Sequence, residues 1–232
     1  MKFVFFLAFL SLYTTKSNPP ISKVKISIAE PSDICYDPIS NHFIVVSDEG
    51  LIKIMDRALN TIKMLKFHGC DFEAVSVVDS VIYVSDESGK RILEFSVNTY
   101  ENIATHDIHN SGALNEGIEG LTYNPKTRQF IASYEKDPVS LIIMNDDFQI
   151  LKRINLPMLS DISALTYFNG FLYVLSDEDA SLSKLDINSF KVLGTTYFNV
   201  INPEGVAFLN SDSFVIVSDA EQKIYTFSNV EF

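Results

Sequence analysis

One pattern recurs five times along this chain and limits what it can fold into. Ile118-Glu119-Gly120-Leu121-Thr122-Tyr123-Asn124, followed by Phe130-Ile131-Ala132-Ser133-Tyr134-Glu135, has four counterparts. They are Pro31 to Tyr36 with Phe43 to Asp48, Phe72 to Val77 with Val81 to Asp86, Ile162 to Tyr167 with Leu172 to Asp177, and Pro203 to Phe208 with Phe214 to Asp219. From Ser32 through Glu73, Glu119 and Ser163 to Glu204 the steps are 41, 46, 44 and 41 residues. A period of that length, made of short β-rich segments, is the signature of a propeller blade. The five copies predict an all-β fold, a five-bladed β-propeller.

Each complete repeat offers four strands, the third exemplified by Leu51 to Met55 and the fourth by Thr61 to Phe67. The fifth repeat stops after its third, at Lys223-Ile224-Tyr225-Thr226-Phe227. Upstream of the first repeat, Lys23 to Ile28 alternates polar and apolar residues, the pattern of a half-buried strand. That spare strand is expected to complete the last blade and close the ring, leaving only short protected sheet edges. The turn signals Asp37-Pro38, Asn124-Pro125 and Asn169-Gly170 interrupt the chain too often for helices.

The repeats run to Phe232 without a linker, so residues 23–232 read as a single propeller domain. Before it, Met1-Lys2 precedes the apolar run Phe3 to Tyr13 and the polar stretch Thr14 to Pro20. A run that short is expected to be a signal peptide or N-terminal anchor over residues 1–17, which predicts a secreted or cell-envelope protein with any membrane association confined to that segment. The formal net charge of −12, from 18 basic and 30 acidic residues, argues against nucleic acid as a partner and is consistent with a soluble monomer. Cys35 and Cys70 fall in neighbouring repeats; two cysteines do not make a disulfide framework, and they read as small buried side chains.

An ordered set of short motifs adds a family resemblance. It comprises Glu30-Pro31-Ser32-Asp33-Ile34-Cys35-Tyr36-Asp37-Pro38, Asp71-Phe72-Glu73-Ala74-Val75, Ile118 to Pro125, Tyr134 to Pro138, Asp161 to Tyr167, Leu175 to Glu178 and Pro203 to Ala207. Together they resemble the SdiA-regulated, YjiK-like family of bacterial exported proteins. The resemblance implies a five-bladed propeller, distantly similar to NHL-type propellers, with a bound calcium ion and a cell-envelope setting. It implies no particular reaction.

Aligned, the repeats gather acid groups into two rings. One stands at the start of the innermost strand: Ser32, Glu73, Glu119, Ser163 and Glu204, with Glu30, Asp71, Asp161 and Asn202 two residues earlier and therefore on the same side of the strand. The other stands at the end of the next strand: Asp48, Asp86, Glu135, Asp177 and Asp219. Antiparallel pairing puts both rings at one mouth of the axial channel. Carboxylates that close raise one another's pKa until a cation neutralises them. Oxygen donors in that number suit calcium better than magnesium, and His42, His68, His106 and His109 do not sit in the repeated positions that zinc would need. The expected ligands are Glu73, Glu119, Asp161, Glu204 and Glu30. Lys136, beside Glu135, reads as a solvated loop lysine, and His106 with His109 as a chance pair rather than a metal site.

Two functions fit these readings. In the first, the propeller is a calcium-binding module that holds an unidentified small molecule or envelope partner over the metal-bearing mouth. In the alternative it is a calcium-dependent hydrolase of lactones, esters or phosphoesters, with one of Asp86, Glu135 or Asp177 as base. Nucleophile elbows, Cys-x-x-Cys, His-Glu-x-x-His and phosphate-binding glycine loops are all missing from the sequence, and no histidine is placed to shuttle protons at the mouth, which favours binding.

Overall fold

In the computed structural model of the chain, residues 18–108, 117–134 and 138–232 are described, and every regular element among them is a strand. The N-terminal segment 1–17, His109, Glu135 and Lys136 lie outside the described residues.

Strand β1 (Ser22–Lys25) precedes blade one, which consists of β2 (Pro31–Asp37), β3 (His42–Ser47), β4 (Leu51–Asp56) and β5 (Thr61–Lys66). Blade two holds β6 (Phe72–Val78), β7 (Val81–Asp86), β8 (Arg91–Ser96) and β9 (Asn102–Asp107). Blade three holds β10 (Gly120–Asn124), β11 (Gln129–Tyr134), β12 (Ser140–Met144) and β13 (Ile150–Asn155), and blade four β14 (Ala164–Phe168), β15 (Phe171–Ser176), β16 (Ser181–Asp186) and β17 (Val192–Tyr197). Blade five takes β18 (Pro203–Asn210), β19 (Ser213–Ser218) and β20 (Lys223–Ser228) from the end of the chain and β1 from its beginning. Strand β1 pairs antiparallel with β20 from Ser22 opposite Thr226 to Lys25 opposite Lys223. The five-bladed ring and its closure by the N-terminal strand are thus as the repeats predict.

The first strand of each blade packs beside the first strand of the next, so β2, β6, β10, β14 and β18 surround the axis. The blades meet face to face. Five apolar clusters fill the five interfaces, for example Ile44, Val46 and Ile52 of blade one against Phe72, Val84 and Phe95 of blade two. A sheet buried on both faces needs near-continuous apolar runs, which explains Phe43-Ile44-Val45-Val46 and Phe214-Val215-Ile216-Val217 in the second strands. The outer strands β5, β9 and β13 are mostly exposed, β17 is half exposed, and β1 is exposed throughout.

Close approach of the inner strands decides which residue follows each ring position. A Cβ on Gly205 would stand 2.6 Å from the Ile34 nitrogen and 2.8 Å from the Asp33 Cα, and one on Gly120 would stand 2.6 Å from the Ser133 hydroxyl. Alanine fills the same place in blades two and four, at Ala74 and Ala164. Small residues there let neighbouring strands converge and carry Glu73, Glu119 and Glu204 inward. In blade one the place belongs to Asp33. Its buried carboxylate accepts the Ile34 N–H at 2.7 Å and, across the blade interface, the Val75 N–H at 2.8 Å.

Candidate metal centre at the acidic mouth

The starts of the inner strands and the ends of their partners enclose a cavity of about 180 Å³ at one end of the axis. Glu73, Glu119 and Glu204 line it from the first ring, and Asp48, Asp177 and Asp219 from the second. Ser32 and Ser163, the ring members without a carboxylate, stitch adjacent blades together. The Ser32 hydroxyl donates to the Phe72 carbonyl, and that of Ser163 to the Pro203 carbonyl at 3.0 Å. Carboxylate oxygens of Asp48, Asp71 and Glu73 all lie within 4.8 Å of one another, close enough to share one cation.

Crowding and burial shift these acids upward. Burial, then the charges of Glu119, Asp48, Asp71 and Glu87, pushes Glu73 up to about 10. Burial, then Asp177, Asp219, Asp48 and Glu119, lifts Glu204 to about 8. Asp48 rises to about 6, chiefly by burial and then by Asp71, Glu30 and Asp219, and Asp219 rises through burial. Each of these changes disfavours the charged form, so the mouth as a set of bare carboxylates resists full ionisation.

The remaining candidates stand elsewhere. Asp161 is fully buried, with its oxygens taken by the Ser176 hydroxyl and, at 3.0 Å, by the Asp177 N–H. Burial and then Asp177 raise it to about 7, and it does not line the cavity. Glu30 is exposed at the rim, with its carbonyl accepting the Asp48 N–H at 3.2 Å. Asp86 points away into its own turn. Its Oδ1 accepts the Asp71 N–H at 3.0 Å, and its Oδ2 takes the Arg91 Nε at 2.8 Å. Burial alone would raise Asp86, but the bonds from Asp71, Arg91, Ser88 and Gly89 together hold it below the usual carboxylate range.

Pairing register explains the difference. Phe72 lies opposite Asp86, whereas Pro31 lies opposite Ser47 and Pro203 opposite Ser218. Asp86 therefore occupies the serine place of the other blades, and Glu87 the place of Asp48 and Asp219. The backbone repeats the relation: Glu87 N–H donates to the Asp71 carbonyl as Asp48 N–H does to that of Glu30 and Asp219 N–H to that of Asn202. Reading Ser85-Asp86 as equivalent to Ser47-Asp48 places blade two one residue out of register, and Glu87 is missed. The Glu87 carboxylate instead accepts the Gly117 N–H at 3.2 Å. Cys35 and Cys70 are free thiols, and His106 is engaged by Glu94 at 2.8 Å and packs against Phe148.

Fold and site define a five-bladed β-propeller with a carboxylate-lined axial mouth. The chain belongs to the SdiA-regulated family, whose model matches residues 18–198. Among curated proteins none matches it in sequence. Among solved structures it is similar to a glutaminyl cyclase from Myxococcus xanthus, with a TM-score of 0.75 and 14% identity over 93% of this chain and 100% of that one. It is also similar to U3-55K (TM-score 0.56, 12% identity, 88% of this chain) and to the WD40 repeats of RRP9 (0.55, 12%, 87%). The chain spans 63% and 62% of the length of the latter two. At these identities the likeness is one of fold.

Proposed function

We propose that the protein is a secreted or cell-envelope propeller that binds one calcium ion in its acidic mouth and uses that mouth to hold a ligand or partner. The observation that carries this reading is the convergence of three glutamates and three aspartates on one cavity of about 180 Å³. The lining offers oxygen donors only, carboxylates and serine hydroxyls, with neither histidine nor cysteine among the described lining residues. Calcium accepts 6 to 8 such oxygens with tolerant geometry, and zinc prefers nitrogen or sulfur. Glu73, Glu119 and Glu204 would hold the ion, helped by Asp48 and Asp71 on one side. Bound there, calcium would neutralise the crowded carboxylates and offer a Lewis-acidic position to an oxygen of the ligand. Export rests on the apolar run after Lys2.

Binding is favoured over hydrolysis. Asp86, one candidate base, is engaged by Arg91, and no histidine lines the mouth among the described residues. Isothermal titration of chelator-treated protein is expected to give one calcium equivalent, lost in Glu73→Gln and Glu204→Gln, with magnesium competing weakly. Failure to bind at millimolar calcium would remove the ion from the proposal. Lactone or aryl-ester turnover that disappears in a folded Glu119→Gln variant would transfer the reading to hydrolysis.

A further inference from the structure

The inner strands that begin at the acidic mouth end at a second, wider cavity of about 630 Å³, within the range typical of small-molecule sites. Its lining follows the repeat. Four residues beyond each ring position stand Tyr36, Val77, Tyr123, Tyr167 and Phe208, so four of five blades supply an aromatic ring. One residue earlier, three consecutive blades supply a hydroxyl: Ser76, Thr122 and Thr166.

Those hydroxyls have capacity to spare. Ser76 and Thr122 are 8% and 6% exposed, and the side chains of Ser76 and Thr166 make no hydrogen bond among the described residues. Thr122 Oγ1 accepts the Tyr167 N–H at 2.8 Å, which leaves its own O–H to donate. Charge is confined to the edge. Arg128 is exposed and paired with Asp146 at 2.7 Å, and Tyr123 donates to the same carboxylate at 3.1 Å. Asp79, the lining's acidic residue, is exposed too.

We propose that this mouth binds an uncharged, hydroxyl-rich ring compound, a neutral saccharide. A charged ligand would find no free counter-charge in the interior, and anions are further opposed by the protein's net charge of −12. A purely aliphatic ligand would bury the hydroxyls of Ser76 and Thr166 without partners and leave the Thr122 O–H without an acceptor. A sugar ring meets both halves of the lining: its C–H faces pack on aromatic rings, and its hydroxyls donate to and accept from Ser and Thr.

The protein contains no tryptophan, and three of its ten tyrosines, Tyr36, Tyr123 and Tyr167, line this cavity, so part of the tyrosine emission reports on it. A panel of neutral mono- and oligosaccharides of gluco, galacto, manno and N-acetyl types is expected to contain a member that binds saturably and alters that emission. Ser76→Ala and Thr166→Val should each weaken it about tenfold without moving the melting temperature, as loss of one hydrogen bond predicts. Glu73→Gln, at the opposite mouth, should leave sugar binding unchanged, so the calcium proposal and this one fail separately. The proposal is overturned if no neutral saccharide binds at about 10 mM. It is equally overturned if both hydroxyl variants bind as the wild type does, or if decanoate saturates the cavity while sugars do not.

Discussion

In chelator, the protein is expected to melt at lower temperature as the pH is raised from about 5 to about 8, and calcium is expected to reverse much of that loss. The sign follows from the direction in which burial and crowding move these acids. Glu73 at about 10, Glu204 at about 8 and Asp48 at about 6 all lie above their ordinary values of 4.5, 4.5 and 3.8. The folded protein therefore holds these protons more tightly than the unfolded chain does. That stabilisation is intact below the ordinary carboxylate range and is lost as the pH rises through the folded-state values. A tenfold difference in proton affinity between the folded and unfolded chain corresponds to about 1.4 kcal/mol, and one kcal/mol moves the midpoint of a domain this size by about 2–4 °C. Between pH 5 and pH 8 the Glu73 carboxyl alone gives up about three such tenfold steps, so a fall of at least about 10 °C across the window is expected. Calcium at about a hundred times its dissociation constant should return about 2.7 kcal/mol, or about 5–10 °C, near pH 8, and much less near pH 5, where protons occupy the carboxylates. Glu73→Gln imitates the protonated acid, so it should lessen the pH dependence in chelator and remove most of the calcium response. Scanning calorimetry across the pH series decides the matter: a midpoint that stays level or rises with pH in chelator would contradict the crowded-carboxylate account.

The blade count and the closing strand were legible because a propeller repeats its physics. Each blade needs the same apolar runs to fill two interfaces, so sequence period and structural period coincide. The convergence of Glu73, Glu119 and Glu204 was legible for the same reason, since equal places in equal blades must face one axis. What repetition cannot convey is how a side chain spends its oxygens. Asp161 and Asp86 share the spacing of the other acids, yet Asp161 is held by Ser176 and the Asp177 backbone, and Asp86 by its own turn and Arg91. Hydrogen bonds that local are set by turn geometry, which differs from blade to blade. Glu87 escaped because the Ser-Asp pair of blade two sits one place earlier in its pairing register than those of blades one and five. Asp33 escaped because its partner, the Val75 N–H, belongs to another blade. The wide mouth was missed: the aromatic residues four places beyond the ring positions read as inter-blade packing, and only the folded chain sets a cavity among them.

Removal of residues 1–28 is expected to abolish cooperative folding, while removal of residues 1–17 should leave it intact. The two deletions differ by residues 18–28, which comprise the lead-in whose Asn18 and Ile21 N–H groups donate to the carbonyls of Tyr197 and Thr226, strand β1, and the segment that follows it. Strand β1 supplies the fourth strand of blade five through its four pairs with β20. Ile26 and Ile28, 3% and 2% exposed, sit in the cluster between blades five and one with Val45, Met55, Val217 and Ile224. The buried Lys53 ammonium of β4 reaches the same segment and donates to the carbonyls of Ile26 and Ser27. The deletion forfeits the burial of two isoleucines, about 1.5–3 kcal/mol each, and the hydrogen bonding of a charged group, about 1.5–3 kcal/mol more. Against a total stability of about 5–15 kcal/mol, those losses and the unpaired edge of β20 leave little to hold the ring shut. Ile26→Ala provides the graded version, with a cost of about 2–5 kcal/mol and a midpoint lowered by roughly 4–20 °C. Circular dichroism melts and size-exclusion chromatography of the three proteins read the outcome. A sharp, monomeric unfolding transition in the protein lacking residues 1–28 would mean that three strands suffice for the last blade, and that the two ends of the chain do not clasp the propeller.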